Sequence, residues 1–416
     1  MSEDSTRVGR EGPSISRRAF LVGGALVGGG YLVGCRRDAE QPAPRSAEAP
    51  LAAAEAGGPA IEAVGPAQPA LLTRHGMALG GGRGDDKTTG APRYWLSVVD
   101  LDRGERVATI PTAFFPHGIA AHPQKPHVVM LFEKHGEGCC QVDLRAGRVT
   151  ATVRTVAGNQ FYGHGAYAPD AGHFYCTETA VDDEYRGLLM VRDSRSFEAL
   201  GELPTGGKEP HDCVLIAGGR TLVVTNGGGH VDNGGEASVT YVDVGTRAVQ
   251  HTLRFSDPTL NAGHLWLTSK GELAVVSAPR SGLDTSDPKV HGAISFFSPG
   301  MDRGLRTVTD PILAQMRGET LSVAVHEPTM VVGATNPDGD LLTFWDFHTG
   351  KLLRAYHDLK GPRGIGLSLD RRYFAVTYGP QAALVLIDTR SLDRVAEGEV
   401  AQAWMTGSHV VCHDWS

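Results

Sequence analysis

Short apolar runs separated by turn residues recur along the chain from about residue 68 to its end. Within each run, β-branched or other apolar residues alternate with polar ones, and Gly, Asp, Asn or Pro stands between the runs. This alternation is typical of half-buried β-strands and not of helices. Residues 115–155 contain four such runs in succession: HGIAAHP, HVVMLFE, GCCQVDL and TATVRT. We therefore predict an all-β fold whose basic unit is a four-stranded antiparallel sheet.

The four-run unit repeats, and the length of the repeat indicates the architecture. Similar units occupy residues 161–205, 209–255, 261–300, 320–358 and 361–400, and such a repeat is typical of a β-propeller blade. Residues 68–113 add three predicted strands (ALLTRHG, YWLSVVD and RVATIPT), and residues 409–412 add a single one. Pairing these two ends closes the ring without exposed edges. We predict a seven-bladed β-propeller over residues 68–416, closed by a composite N- and C-terminal blade; misjudging residues 300–320 would give six or eight blades.

A histidine stands at the start of the first strand in most of these units. Four of them follow one another at steps of 47, 47 and 53 residues, and a fifth lies near the C-terminus: His117, His164, His211, His264 and His409. First strands line the central channel of a propeller, so we expect these imidazoles to converge on its axis. Ser322 and Gly364 stand at the corresponding places in the two remaining units.

A ring of imidazoles predicts a metal site. Histidine is the commonest metal ligand, and a set of imidazoles without thiolates suits copper, zinc or iron. We expect iron or copper, with zinc as a further candidate. The alternative is structural, because Gly-His pairs in WD-repeat propellers fasten neighbouring strands and Gly163-His164 and Gly263-His264 are similar. His117 and His211 follow proline instead, which favours the metal site.

The ends of the second strands should surround the histidines, because they lie at the same edge of each antiparallel blade. From these ends, and from residues 74–75 in the composite blade, we predict a neighbouring shell of Glu133, Glu178, Asn226 and His75. Arg74, Arg280, Asn336 and Tyr378 stand at similar points. The glycine-rich segment 226–235 also follows a second strand, so His230 and Asp232 are candidates for further ligands or a lid. An ordinary long turn is the alternative.

The N-terminus resembles an export signal. Arg17 and Arg18 begin a twin-arginine motif, and the glycine-rich apolar stretch after them is too short for a good membrane span. It ends in LVGC, similar to a lipobox, so residues 1–35 are predicted to be a lipoprotein signal with Cys35 acylated. Residues 36–67, rich in Ala, Pro and Glu, predict a flexible tether. We expect a protein lipid-anchored at the periplasmic face of a membrane, with Arg36 favouring the outer membrane.

Charge and cysteine content exclude some functions and leave others open. The net charge is −8 and no long Lys/Arg run occurs, so nucleic acid is not an expected partner. Apart from Cys35 the chain has five cysteines (Cys139, Cys140, Cys176, Cys213 and Cys412), an odd number whose pairing the sequence leaves open. We expect them to be small buried residues on strands. No G-x-S-x-G motif is present, so nothing favours a serine hydrolase.

Residues 161–229 resemble a domain-of-unknown-function family of twin-arginine-exported bacterial propeller proteins. The matching phrases are F-Y-G-H-G at His164, Thr177-Glu178, Pro210-His211 and T-N-G-G at Asn226; Asp212 replaces the usual Glu. Members tend to be encoded beside imelysin-type proteins in iron-uptake loci, so the resemblance implies a periplasmic role in handling iron or another metal. The chain is more distantly similar to YVTN-type propellers of the quinoprotein amine dehydrogenase superfamily.

Three functions fit these observations. The first is a membrane-tethered propeller that binds iron or copper and works with periplasmic metal-uptake or electron-transfer proteins. The second is a metal-dependent oxidoreductase or hydrolase, with Glu133 or Glu178 as general base. The third is a protein-interaction scaffold whose histidines are structural. We favour the first function, in which the protein is not an enzyme, and the sequence leaves catalysis open.

Overall fold

The computed structural model describes residues 74–301 and 304–415. These residues form seven antiparallel sheets arranged as a β-propeller, as the sequence predicts. Arg17, Arg18 and Cys35, the tether 36–67 and the first residues of the predicted domain lie outside the described residues. No helix in the described part of the chain has the length and apolar character needed to cross a membrane.

Each sheet is one blade, and we number the blades in chain order with the composite blade first. Blade 1 consists of β1 (Met77–Asp85), β2 (Pro92–Asp100), β3 (Glu105–Thr112) and the C-terminal β28 (Val411–His413). Blade 2 consists of β4 (Gly118–Ala121), β5 (Val128–Phe132), β7 (Gly138–Asp143) and β8 (Arg148–Arg154). Blade 3 consists of β9 (Asn159–Tyr167), β10 (His173–Ala180), β11 (Arg186–Asp193), β12 (Ala199–Lys208) and an added short strand, β6 (Lys134–Gly136).

The remaining four blades follow in order. Blade 4 consists of β13 (Pro210–Ile216), β14 (Thr221–Asn226), β15 (Ser238–Asp243) and β16 (Ala248–Arg254). Blade 5 consists of β17 (Leu265–Leu267), β18 (Leu273–Ser277), β19 (Ala293–Phe297) and β20 (Arg306–Thr307). Blade 6 consists of β21 (Ser322–His326), β22 (Val331–Asn336), β23 (Leu341–Asp346) and β24 (Leu352–Tyr356), and blade 7 of β25 (Ile365–Leu367), β26 (Tyr373–Tyr378) and β27 (Ala383–Asp388). Three short 3-10 helices span Ala217–Gly219, Pro311–Gln315 and Ala396–Gly398.

The ring closes through the two ends of the chain. Strand β28 pairs antiparallel with β1, Met77 opposite His413 and Leu79 opposite Val411, and β1 pairs with β2. The prediction of a composite blade is therefore confirmed. Residues 74–76, the described part of the predicted strand ALLTRHG, are not in a strand; β1 begins at Met77 and continues through a glycine-rich segment. A side chain at Gly81 would collide with the carbonyl of Pro116, so this strand needs glycine despite its weak strand propensity.

Two further strands differ from their predictions. The fourth strand of blade 5 lies at Arg306–Thr307, beyond the predicted unit. The predicted strand RVAEGEV in blade 7 is interrupted by the 3-10 turn at Ala396–Gly398. Only isolated bridges remain at its two ends, Ile387 to Arg394 and Leu384 to Val400.

The apolar core lies between the blades. The described residues contain seven buried apolar clusters, each built from two adjacent blades. Burying this surface is the main favourable contribution to folding. The five cysteines in the described part of the chain are all free, and four of them are buried, as expected for small apolar residues on strands. The result is a rigid ring of inner strands around a central channel.

Candidate metal centre

Four of the five predicted histidines stand where inner strands begin, and His164 lies in the middle of β9. They lie toward one mouth of the channel, which we call the top face. His164 and His211 lie within β9 and β13; His117 and His264 immediately precede β4 and β17. His409 lies two residues before β28. The first four are at most 8% exposed, and His409 is half-buried. The ring of strands thus brings residues almost 300 positions apart into one buried group.

The imidazoles meet at His264. Its Nε2 lies 3.2 Å from Nε2 of His117, 2.7 Å from that of His211 and 2.8 Å from that of His409. The rings of His164 and His409 have centroids 4.6 Å apart. One ligand nitrogen from each of His117, His164, His211 and His264 fits within a span of 4.8 Å, so this buried four-histidine group could hold a metal ion.

The spacing of the histidines suggested that they occupy equivalent positions in their blades. The structure shows that they do not. A threonine of the second strand accepts a hydrogen bond from the backbone N–H of an inner-strand residue in four blades. The pairs are Thr177 with His164, Thr225 with Asp212, Thr335 with Ser322 and Thr377 with Gly364. In blade 4 the place of His164 is therefore taken by Asp212, and His211 stands one residue earlier.

Asp212 is a carboxylate of the site that sequence reasoning missed. One of its oxygens, Oδ1, lies 3.2 Å from Nδ1 of His164, and the other accepts a hydrogen bond of 3.1 Å from the backbone N–H of Leu265. Asp212 thus follows His211 in the chain, contacts the ring of His164 and holds the residue after His264. The signal was its place in the sequence, directly after a predicted ligand.

The environment keeps the imidazoles neutral. Burial lowers the pKa of all five, and the nearby Lys134 ammonium acts in the same direction. The pKa falls to about 3 for His164 and to about 3 for His409. Burial also raises the pKa of Asp212. Neutral imidazole is the form that binds metals.

Hydrogen bonds alone do not satisfy this arrangement. Nδ1–H of His264 donates to the carbonyl of Leu321, which fixes the tautomer and leaves Nε2 with a lone pair and no proton. That one lone pair faces three other Nε2 atoms within 3.2 Å. Nε2 of His164 is buried and has no hydrogen-bond partner among the described residues. A shared cation would satisfy these nitrogens together.

A layer of charged and polar residues covers the top of the cluster, and sequence reasoning missed it as well. Strand β6 leaves blade 2 and pairs with β9, which places the half-buried Lys134 opposite Tyr162. Burial lowers the pKa of Lys134, while the nearby carboxylates of Glu319 and Glu209 act against that shift. Burial also raises the pKa of Glu319, which faces Arg363 as well. Only the extra strand β6, invisible in the repeat pattern, brings Lys134 to the axis.

The predicted neighbouring shell is placed differently. Glu178 is fully buried and accepts a 2.8 Å hydrogen bond from Nη2 of Arg192 and another from Asn159. Glu133 accepts from the backbone of Gly138. Neither carboxylate is hydrogen-bonded to a cluster histidine in the described part of the chain, so the structure gives Asp212 this place.

Asn226 and His75 are structural in their contacts. The Asn226 amide donates to the carbonyl of Thr205 and to Thr240, which ties the outer strand of blade 3 to the two middle strands of blade 4. His75 precedes β1 and contacts Asp370, 2.8 Å away, in a turn between the first two strands of blade 7. That turn lies at the bottom face, so the placement of His75 beside the histidine ring is wrong. The error follows from assigning the strand of blade 1 too early.

The glycine-rich segment is held by an arginine. The Arg280 guanidinium donates to the carbonyls of Gly228, Gly229, His230 and Gly235. The side chain of His230 is 43% exposed, with Nδ1 3.8 Å from Asp232. No contact between these two residues and the cluster is present among the described residues, and their role as ligands or lid stays a prediction.

Fold and site together define the class: an all-β seven-bladed propeller with a buried histidine cluster that could hold a metal ion. The family described as "Protein of unknown function (DUF1513)" matches residues 110–412, and the chain belongs to this family. No curated protein matches the chain.

Solved structures share the fold at low sequence identity. Kuenenia stuttgartiensis hydrazine synthase aligns with a TM-score of 0.59 at 13% identity, covering 73% of this chain and 93% of that one. The β-propeller domain of Myceliophteria thermophila Cps50 (Swd1) aligns with a TM-score of 0.54 at 15% identity, covering 75% and 97%. At these identities the likeness concerns the fold alone.

Proposed function

We propose that this protein is an exported, lipid-anchored propeller that binds iron or copper through His117, His164, His211, His264 and His409 and takes part in periplasmic metal uptake or handling. Its partners would be the membrane, through lipid on Cys35, and periplasmic metal-uptake or electron-transfer proteins. The twin-arginine motif at Arg17 and Arg18 and the lipobox-like sequence support the location. The histidine cluster supports the activity.

The observation that carries the proposal is the position of His264 Nε2 among three other Nε2 atoms at 2.7 to 3.2 Å. Nitrogens bound at about 2.0–2.1 Å to one metal, at right angles to each other, lie about 2.9 Å apart. The spacing therefore matches the edge of a coordination polyhedron. Imidazole ligands suit iron, copper and zinc alike, and the family resemblance favours iron.

Metal analysis tests the proposal directly. We expect protein purified from the periplasm, or reconstituted with Fe(II) or Cu(II), to hold close to one metal per chain. His164→Ala with His211→Ala should abolish retention while the β-sheet circular dichroism spectrum persists. The matched control is His122→Ala with His326→Ala, which removes two buried histidines outside the cluster and should leave metal content unchanged.

The structural alternative makes the opposite prediction. Two cluster contacts do link neighbouring blades, His164 to Asp212 and His264 to the carbonyl of Leu321. If the histidines only fasten blades, wild-type protein retains no metal after loading with iron, copper or zinc. The cluster double variant would then lose about 1 kcal/mol or more per removed hydrogen bond. That pair of results would support a scaffold function.

Location has its own test. Arg17→Lys with Arg18→Lys should block export, and Cys35→Ala should release the protein in soluble form into the periplasm. Fractionation followed by immunoblotting measures both. A Cys35→Ala variant that still sediments with membranes would refute the lipid anchor and leave the metal site unaffected.

A further inference from the structure

The two sides of the histidine cluster differ in what covers them. The top side carries the charged layer of Lys134, Glu209, Glu319 and Arg363, all half-buried. The channel side opens on a cavity of about 240 Å³, which we call the channel chamber. His164, His264 and His409 line this chamber together with Asp212. Any metal on the cluster would therefore present one face to the chamber.

The rest of the chamber wall is almost entirely apolar. Each of the seven blades contributes at least one residue of its inner strand, among them Ile119, Val214, Trp266, Val323, Ile365 and Val411. Several of them, including Ile119, Val214, Trp266 and Val411, are half-buried. The lining residues follow the histidines along the inner strands, so the chamber lies on the side of the cluster away from the charged layer.

Size and charge limit what the chamber can take. A cavity of roughly 150 Å³ accommodates benzene or xenon, whereas pockets for drug-sized ligands begin at about 300 Å³. The only acidic group in the wall is Asp212, and both of its oxygens already have partners in His164 and Leu265. An ion entering this apolar space would lose its hydration without compensation. A small uncharged molecule would not.

We propose that the channel chamber binds a small uncharged molecule, between a diatomic gas and benzene in size, against the histidine-bound metal. This inference rests on the proposed metal function and adds a ligand to it. Nε2 of His164, buried and without a hydrogen-bond partner among the described residues, lies in one of the three imidazoles that line both cluster and chamber. The metal would then be a binding or reactive centre open on one side.

The test is ligand binding to protein loaded with whichever of iron and copper it retains, in the reduced state. Under anaerobic conditions, nitric oxide serves as the uncharged probe and azide as the anionic one, with visible absorption and electron paramagnetic resonance as readouts. We expect nitric oxide to bind and azide to bind at least tenfold more weakly. Equal or tighter azide binding, or no nitric oxide binding, would overturn the proposal.

Filling the chamber separates it from other routes to the metal. Ile119→Trp should weaken nitric oxide binding at least tenfold with metal content unchanged, while Val107→Trp, at a 43% exposed position on an outer strand, should have no effect. If Ile119→Trp melts early, Val214→Trp in another blade makes the same test. Nitric oxide binding unaffected in the folded variant would overturn the chamber proposal alone. Wild-type protein that retains no metal would overturn the proposed function and this inference with it.

Discussion

Blades 1 to 5 differ from blades 6 and 7 in the side chains that they place at the channel. Blades 1 to 5 each place one histidine at the axis, whereas blades 6 and 7 have Ser322 and Gly364 at the corresponding positions. The two blades without histidine hold the others in place. The Leu321 carbonyl, at the start of blade 6, accepts from Nδ1 of His264, and Gly364 lies against the backbone of His409. An incomplete ring of histidines is therefore supported by the two blades that contribute none.

Opening the composite blade, where β28 pairs with β1, should destabilise the protein most. We call this pairing the seam. Deleting residues 407–416 removes β28 and leaves the edge of β1 unpaired, so we expect loss of the cooperative thermal transition. Circular dichroism melting measures this. His409→Ala is the control, because it removes the ligand and keeps the seam. A truncated chain that melts like the full-length protein would contradict the expectation.

Acid should weaken the five-histidine region next. The pKa of His164 and of His409 is about 3 in the folded protein against an ordinary value of 6.5, so between these values the unfolded chain binds more protons. Stability is then fully present above about pH 6.5 and is lost as the pH falls toward 3. Urea unfolding of metal-free protein between pH 7.5 and 4 measures this. In the variant with His164→Ala and His211→Ala, the free energy of unfolding should depend less steeply on pH. An equally steep dependence would assign the loss of stability to other groups.

Adding a side chain next to the backbone of His409 should destabilise the fold less than the changes above. A Cβ at position 364 would lie 2.9 Å from the backbone carbonyl carbon of His409, closer than real contacts allow. Gly364→Ala is expected to destabilise the fold by about 1–3 kcal/mol and to lower metal affinity. Gly379→Ala is less informative because its φ is positive, so Gly235→Ala, with nothing near its Cβ, is the control. Unchanged stability in Gly364→Ala would mean that the seam can shift freely.

Asp212 and Ser322 give the finest comparison, since they occupy equivalent positions. Asp212→Asn should lower metal affinity about 10–100-fold, as loss of a carboxylate that orients a ligand histidine usually does, and should alter the metal's spectrum. Ser322→Ala removes only a 3.4 Å hydrogen bond from Ile365 and should leave metal affinity unchanged. Competition with a chelator measures both. An Asp212→Asn variant that keeps the wild-type metal affinity would contradict the role assigned to this carboxylate.

The sequence predicted the architecture because propeller blades repeat. Alternating apolar residues gave the strands, and the phase of His117, His164, His211, His264 and His409 indicated one convergent group. Position along a strand was predicted less well. His75 was misplaced because β1 is rich in glycine, and RVAEGEV is interrupted by a turn that its apolar pattern does not reveal.

The repeat did not predict which side chains meet at the site through contacts outside their own strand. Asp212 contacts His164 of the preceding blade, and Lys134 reaches the axis only because β6 leaves its own sheet and joins the next. Glu178 was expected beside the histidines, but the same blade supplies Arg192, whose guanidinium holds it in the core. A local pattern carries no information about such pairings.

The closure by β28 couples the histidine cluster to the integrity of the ring. His409 reaches His264 only when β28 lies beside β1, so all five histidines come together only in the closed ring. A bound ion would hold that last strand in place, because a ligand specific to the native state stabilises it by mass action. Closure of the ring and binding of an ion would thus be thermodynamically coupled, each favouring the other.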